Sequence, residues 1–553
     1  MNLSELLEIA KKKSESGLSE IREQLSLPFF RTKDQDLWNG TPRKIVVVGS
    51  GIGGMASGAL FAGIGHHVTV LELNKDLIGG HGRCMRFGNL RFSMGPQYVW
   101  EFGEAQIGDR FLRFLDLKES DPFLPMQSDG FERIFIGCET PSKNYCCLNF
   151  KVPLGLDRFR EELIALFPEE QDSIHALFDD IIELFEVYKS HFKGHAATEG
   201  RFLLATKFLL TSQVSMETKL KLRRTISMSV KDLFDQHRIS PIVRRILYGH
   251  GGIFAENESD MSAIAYIVGT GNYHSGAWYP KNGFYHFFNS LASVIRASGG
   301  SVLTGKRVVR LETEADAVTQ AICADGSVYD CDFLFSDISP RLTARLLRQD
   351  AEGYDYSPSH SIPTCCIGVK GGLPAIAEMK GRNYWWQDGQ EIDYTAPDIT
   401  RPPRMLFIGS PTANGFGQVT ETADDGLVVF CPGNFDQEQR IYEQGPEVVM
   451  AFKQRLAGDI VGILEKHVFP GIASRLAFAE IISSIDIERD TGGEFGNAYG
   501  RRLTADEILK GPIKEENCPA NLYNVSATKN SPGIAAGIFT AGLIFEELTG
   551  HKI

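Results

Sequence analysis

The apolar positions of this chain change period along its length. Lys44–Gly49 (KIVVVG) is an unbroken apolar run of strand length, and His67–Glu72 (HVTVLE) alternates apolar with polar residues; both patterns predict strands. Between them Gly53–Gly65 is made of small residues and predicts a helix that packs closely on its neighbours. From about Gly108 to Gln236 the period becomes helical. Phe111–Leu117, Leu156–Phe167 and Asp172–Lys189 are amphipathic, and Arg201–Leu210 is strongly apolar. Strand patterns return at Ser301–Leu311 and Ala321–Phe335, then in short runs at Cys365–Val369, Met405–Gly409 and Leu427–Cys431. Long helices are predicted over Val448–His467 and Ser531–Glu547. Ahead of the first strand, Leu3, Leu6, Leu7 and Ala10, then Ile21 and Leu25, fall at helical spacing, so residues 1–43 are expected to form a helical extension. One early strand–helix–strand unit, a mixed middle and a glycine-rich return at the end predict an α/β fold. In it a Rossmann-type nucleotide-binding domain is interleaved with a mixed α+β substrate domain.

Composition narrows the classes of partner. The 553 residues carry 57 Lys plus Arg against 70 Asp plus Glu, a net charge of −13, so no basic patch for nucleic acid is expected. Hydrophobic residues at 43% and charged residues at 23% suit a globular chain. Ile45–Gly65 and Met261–Pro280 approach membrane length, but the first holds seven glycines and the second ends in aromatics and Pro, so neither reads as a spanning helix. The first residues, MNLSELLEIAKKKSESG, lack the apolar centre of a signal peptide. Ten scattered cysteines without a CxxC motif read as buried thiols of a reducing compartment. A cytoplasmic location is expected; peripheral membrane contact stays open as one reading of the apolar segment Phe202–Leu210, a core helix being the other.

The chemistry-bearing signal is Gly49-Ser50-Gly51-Ile52-Gly53-Gly54, a G-x-G-x-x-G hexamer entered by a strand and left by a helix. Gly49 permits the tight turn, Gly51 the close approach of a pyrophosphate, and Gly54 close helix–strand packing. The helix N-terminus then offers unpaired N–H groups to the phosphates. Glu72, followed by Leu73, ends the second strand, where a carboxylate accepts hydrogen bonds from ribose hydroxyls and repels a 2′-phosphate. NADP is thereby disfavoured, leaving FAD or NAD. A second glycine loop, Gly79-Gly80-His81-Gly82-Arg83, and a turn at Gly95-Pro96-Gln97-Tyr98 follow.

In this order the residues resemble the phytoene desaturase superfamily of flavoproteins, including its carotenoid isomerases and retinol saturases. The resemblance continues through Ala277–Ile295, Gly299-Gly300 and Arg307-Val308, the Ser336-Asp337 turn, Gly496–Gly500 (GNAYG) and Pro532-Gly533-Ile534-Ala535-Ala536-Gly537. It implies FAD as cofactor, and no His or Cys stands where it would motivate a covalent link, so non-covalent binding is expected. Gly49, Gly51, Ile52, Gly53, Gly54, Glu72, Leu73, Gly79, Gly80, Arg83, Gly95, Pro96, Val308, Ser336, Pro532, Gly533, Ile534 and Ala535 would line it. The resemblance implies an amine-oxidase-like division of the chain. The FAD domain would take 44–107, 241–345 and 491–553, a helical region 108–240, and a substrate sheet with helices 346–490. Two departures stand out: Asn282 replaces a family glycine, and Val525–Ser531 lacks the family's Gly-Asp.

Neither HExxH, clustered Cys/His nor a nucleophile elbow is present in the sequence, so no metal and no covalent nucleophile are expected. The flavin would carry the redox step, and the protein would orient a lipophilic small molecule and exclude water. Gln97 and Tyr98, beside the expected isoalloxazine, are the catalytic candidates; Trp100, Trp278, Tyr279, Trp385 and Trp386 are the substrate-lining ones. The resemblance implies desaturation, saturation or cis–trans isomerisation of a polyene or isoprenoid, with the redox partner open between a quinone and oxygen. Two alternatives remain at this stage: an amine- or porphyrinogen-type flavin oxidase, and a non-enzymatic prenyl-binding protein of the GDP-dissociation-inhibitor type.

Overall fold

The computed structural model describes residues 41–137, 148–192, 214–415, 417–418, 423–511, 513, 518–529 and 531–553. The extension expected over 1–40 and the apolar run 201–210 lie outside the described residues. Strand β1 (Lys44–Val48) is buried along all but its first residue, and β2 (His67–Leu71) pairs with it in parallel. Such strands are covered on both faces, which is why β1 is apolar beyond its first residue, while β2 keeps only a half-buried Thr69 between its valines. Ser301–Leu303 adds beside β2, Phe333–Ser336 beside β1 and Leu522–Asn524 at the far edge, all in parallel. The sheet is therefore assembled from both ends and the middle of the chain.

Helix α1 (Ile52–Gly63) crosses from β1 to β2 with ten of its twelve residues buried and no charged side chain. Gly54 explains its closeness to the sheet: a Cβ there would lie 2.5 Å from the Gly49 carbonyl oxygen and 3.0 Å from Val47 Cγ1. The helices Gly283–Ala297 and Ile534–Thr549 flank it.

A second, seven-stranded sheet is antiparallel except where β3 (Glu132–Ile136) lies parallel to β4 (Asn383–Gln387). Its other strands are Leu148–Val152, Thr364–Val369, Met405–Gly409, Asp425–Phe430 and Leu476–Ile482. β3 and Leu148–Val152 fall inside 108–240, the segment expected to be helical. Their alternation spans five residues each, and helix-period residues surround them. One face of this sheet packs on the long helix Pro446–His467. The other faces a helical layer that includes Gln171–Val187, α2 (Met216–Ile226), Val230–Gln236 and Ala263–His274. Pro241–Leu247 and Ala263–His274, expected with the dinucleotide domain, share that layer's core. No disulfide joins the described cysteines, and Cys84, Cys323, Cys331, Cys365, Cys366 and Cys431 are buried. Among the described residues no helix is long and apolar enough to cross a membrane.

Candidate active site

A cavity of about 910 Å³ runs from the turn between β1 and α1 to the helical layer over the second sheet. Its first end is built by backbone. Gly49, Gly51, Ile52 and Gly53 line it, and Glu72 and Leu73 stand at the end of β2. Glu72 is buried, and its carboxylate accepts from Ser50 N–H (3.0 Å), Ser50 Oγ (2.5 Å) and Asn74 N–H (2.7 Å). The second glycine loop is pinned to the same residue: Gly79 N–H donates to the Ser50 carbonyl at 3.0 Å. Gly79, Gly80 and Arg83 follow on the wall, and Val308 faces them. Pro532, Gly533, Ile534 and Ala535 bring in the N-terminus of the last helix, whose first turn holds no acidic residue to compete for its N–H groups.

The residues at this end fit a flavin dinucleotide. Arg83 is buried, its Nη1 donates to the Gly80 carbonyl at 3.3 Å, and its Nη2 lies 3.6 Å from Asp490 Oδ2. Its Nε and Nη2 have no hydrogen-bond partner among the described residues, as expected of a cation awaiting an anionic ligand. Burial pulls the Arg83 guanidinium down, while the carboxylates of Asp490 and Glu72 pull it up. Asp337, also on the wall, is pushed up to about 8 by burial, against hydrogen bonds from the N–H groups of Gly54 and Gly51. A neutral acid in that place adds no repulsion to a pyrophosphate.

The other end is aromatic. After Gly95 and Pro96 the chain places Gln97, Tyr98 and Trp100 on the wall, with Tyr273 against both rings at 4.7 and 4.8 Å. Gln97 Nε2 donates to the Ser93 carbonyl at 2.9 Å, so its amide locks the turn that carries it. Tyr98 donates its hydroxyl proton to Glu132, a carboxylate just behind the wall, which also accepts from Trp385 Nε1 at 2.9 Å. Trp385 and Phe407 complete this side, edge to face at 4.8 Å.

Three of the five substrate candidates do not reach the cavity. Trp386 follows Trp385 on β4 and points to the opposite face, against His467 and the helix-covered core, because successive strand residues alternate sides. Trp278 packs over Gly276 and Gly103, and Tyr279 lies beside Phe284 in the core that α1 shares with the parallel sheet. Ser336 also turns away: its hydroxyl pairs with Thr343 Oγ1 at 2.7 Å, leaving the neighbouring Asp337 on the wall. Gly54 faces the sheet from within α1 rather than the wall, in the packing role its motif position implies. His81 also lines the cavity, and its Nε2 pairs with the Asn497 carbonyl at 2.7 Å, a bond to a segment 416 residues further along the chain. Glu132, Tyr273 and Phe407 were not singled out from sequence; only Glu132 left a signal, a lone acid in the buried register of a strand.

This fold and site define an FAD-binding oxidoreductase of the two-domain flavoprotein class. The sequence profile of the flavin containing amine oxidoreductases matches residues 52–336, just over half of the chain, and the chain belongs to that family. Its relatives are those the motifs indicated. An all-trans-retinol 13,14-reductase of Danio rerio is 27% identical, covering 86% of this chain and 81% of that protein. A phytoene dehydrogenase of Streptomyces griseus is 20% identical over 92% of this chain and 96% of its own. Among solved structures, a putrescine oxidase variant superposes with a TM-score of 0.58 at 10% identity, covering 92% of this chain and 99% of that one. That likeness is one of fold.

Proposed function

We propose that this FAD-dependent oxidoreductase changes the saturation or geometry of C=C bonds in a lipophilic polyene or isoprenoid. The observation that carries the reading is the aromatic half of the cavity. Tyr98, Trp100, Phe254, Tyr273, Trp385 and Phe407 line it, and Glu132, the carboxyl behind this wall, already accepts from Tyr98 and Trp385. A long apolar molecule would be desolvated there against aromatic side chains, whereas a substrate ammonium would meet Glu132 only behind the wall, where its carboxylate is already engaged by Tyr98 and Trp385. Relatives whose names denote retinol reduction and phytoene dehydrogenation support the same reading. Bound FAD would accept or donate the two electrons. In this reading the chain's own residues bind the dinucleotide through the glycine turns, Glu72 and Arg83, and Gln97 fixes the turn that presents Tyr98. Anaerobic incubation with retinoids, carotenes and unsaturated fatty acids, FAD oxidised or pre-reduced, tests the reading by product mass. Two hydrogens lost mark desaturation, two gained saturation, and altered retention at equal mass isomerisation. Oxidation of putrescine with every polyene untouched would refute it.

The reading extends to where such a substrate enters. Along α2, Met216 (68% exposed), Leu220 (56%), Arg223 and Arg224 form one stripe, and Leu222, Arg223 and Ile226 of the same helix line the cavity. Exposed apolar side chains flanked by cations suit an anionic lipid surface, so peripheral membrane contact at this mouth belongs to the proposal. Met216→Glu with Leu220→Glu should lower co-sedimentation with phosphatidylglycerol vesicles several-fold and leave flavin content unchanged. Equal sedimentation of parent and variant would remove α2 from that role.

A further inference from the structure

Glu132 sits where β3 should carry an apolar residue. It shares the buried face of that strand with Ile134 and Ile136, and it is 1% exposed. No Lys or Arg among the described residues forms an ion pair with it. Its hydrogen-bond partners are the Tyr98 hydroxyl and the Trp385 N–H, and His250 stands nearby with its Nδ1 3.6 Å from Glu132 Oε2, beyond hydrogen-bond reach. A buried acid at an apolar position, joined by one hydroxyl to a substrate cavity, breaks the local pattern in the way functional groups do. None of the flavin-holding roles above uses it.

We propose that Glu132 is the proton store of this site and exchanges its proton with the bound substrate through the Tyr98 hydroxyl. Tyr98 is the group that touches substrate, and Glu132 is a positioning residue acting through it. The step rests on the polyene reading. In saturation, bound reduced flavin would supply the hydride that one alkene carbon takes up. The Tyr98 O–H bond breaks, and its proton joins the π electron pair at the other carbon. The Glu132 O–H bond then breaks to restore the phenol, and the carboxylate regains a proton from water after product leaves. In desaturation Tyr98 passes the substrate proton to the carboxylate, the C–H pair becomes the π bond, and bound oxidised flavin would take up the hydride from the neighbouring carbon. The hydrogen bond supports this polarity. An ionised Glu132 draws the Tyr98 proton toward itself, whereas a protonated one donates to the phenol oxygen and frees the phenol O–H for the cavity.

Glu132 is also the group in this cluster that changes charge near neutrality. Burial pushes its carboxyl up to about 7, against the bonds from Tyr98 and Trp385. Burial holds His250 down at about 4 and His274, which faces His250, at about 3, so both stay neutral there. Tyr98, Tyr273 and Tyr499, which face one another across the wall, are all pushed upward by burial and stay protonated. Turnover in the saturating direction should therefore fall as pH rises through about 7, and desaturation should rise through the same range.

The test uses the FAD-loaded enzyme. Infrared difference spectra across about pH 5–9 should show a carboxylic acid C=O band that fades on raising the pH, is absent in Glu132→Gln, and shifts in Tyr98→Phe. With all-trans-retinol and pre-reduced enzyme, Glu132→Gln should lose about 100-fold in kcat together with the pH limb, at unchanged KM and flavin content. A spectrum without that band, or Glu132→Gln with the parent's kcat and pH profile, overturns the proton store. If the parent turns over no polyene at all, the substrate reading fails by itself, and the infrared band alone decides whether Glu132 holds the proton.

Discussion

Glu72→Ala should yield a folded protein that loses most of its FAD during purification. The carboxylate faces the dinucleotide end of the cavity while it gathers Ser50 N–H, Ser50 Oγ and Asn74 N–H. A hydrogen bond to an ionised acceptor contributes roughly 1.5–3 kcal/mol, about 10- to 100-fold in affinity if the ribose hydroxyls use it. The same substitution leaves buried donors without an acceptor, at roughly 1–3 kcal/mol for each group that water cannot reach. Ser50→Ala separates the two effects, since it removes one donor and leaves the carboxylate. The flavin-to-protein absorbance ratio after gel filtration should collapse in Glu72→Ala and stay near the parent value in Ser50→Ala. Full FAD retention by Glu72→Ala would show that the adenosine is held elsewhere.

The dinucleotide end of this site was legible because its elements are local. KIVVV and HVTVL are parallel strands close together in sequence, and the glycines between them form one contiguous motif, although the atoms that crowd those glycines include Asp337 and Val525 from far along the chain. The last helix was legible for the same reason, its Pro-Gly start and small residues lying within one short run. The aromatic end was not, because its pairings span the chain. Trp385 faces the cavity and Trp386 does not, a choice made by the register of β4 against β3, about 250 residues earlier in sequence. Sequence alternation shows that two adjacent strand residues point opposite ways but not which of them meets the cavity. Glu132 shows the same limit more sharply. A lone acid in the buried register of a short strand is a signal without a role until its partners Tyr98 and Trp385 arrive from two other segments. Trp278 and Tyr279 were drawn toward the site by their motif, yet their backbone bridges Val99 and pairs with Phe123–Pro125, which leaves Tyr279 buried in the core and Trp278 half-buried against it.

Gly53→Ala and Gly63→Ala should move this protein in different directions although both lie in α1. At Gly53 a Cβ would stand 2.2 Å from the Val525 carbonyl oxygen and 2.9 Å from Asp337 Oδ1. Neither neighbour can yield cheaply: Val525 is buried and its N–H is held by the Ser336 carbonyl at 2.8 Å, while Asp337 N–H is held by Val48 at 2.8 Å. The helix must therefore shift off the sheet. Overpacking of this kind costs roughly 1–3 kcal/mol, and more where backbone opposes backbone. The shift also withdraws the N–H groups of the phosphate turn, so flavin should be lost along with stability. At Gly63 the nearest atom to a new Cβ is Leu115 Cδ2 at 3.6 Å, an ordinary contact. There Ala replaces Gly in a helix and should be neutral or stabilising by up to about 1 kcal/mol. Thermal unfolding followed by flavin fluorescence reads both quantities at once. Gly53→Ala should melt several degrees lower with little bound flavin, and Gly63→Ala at or above the parent with full occupancy. Equal behaviour of the two variants would mean that α1 is not clamped between Val525 and Asp337, and that the phosphate turn does not depend on that clamp.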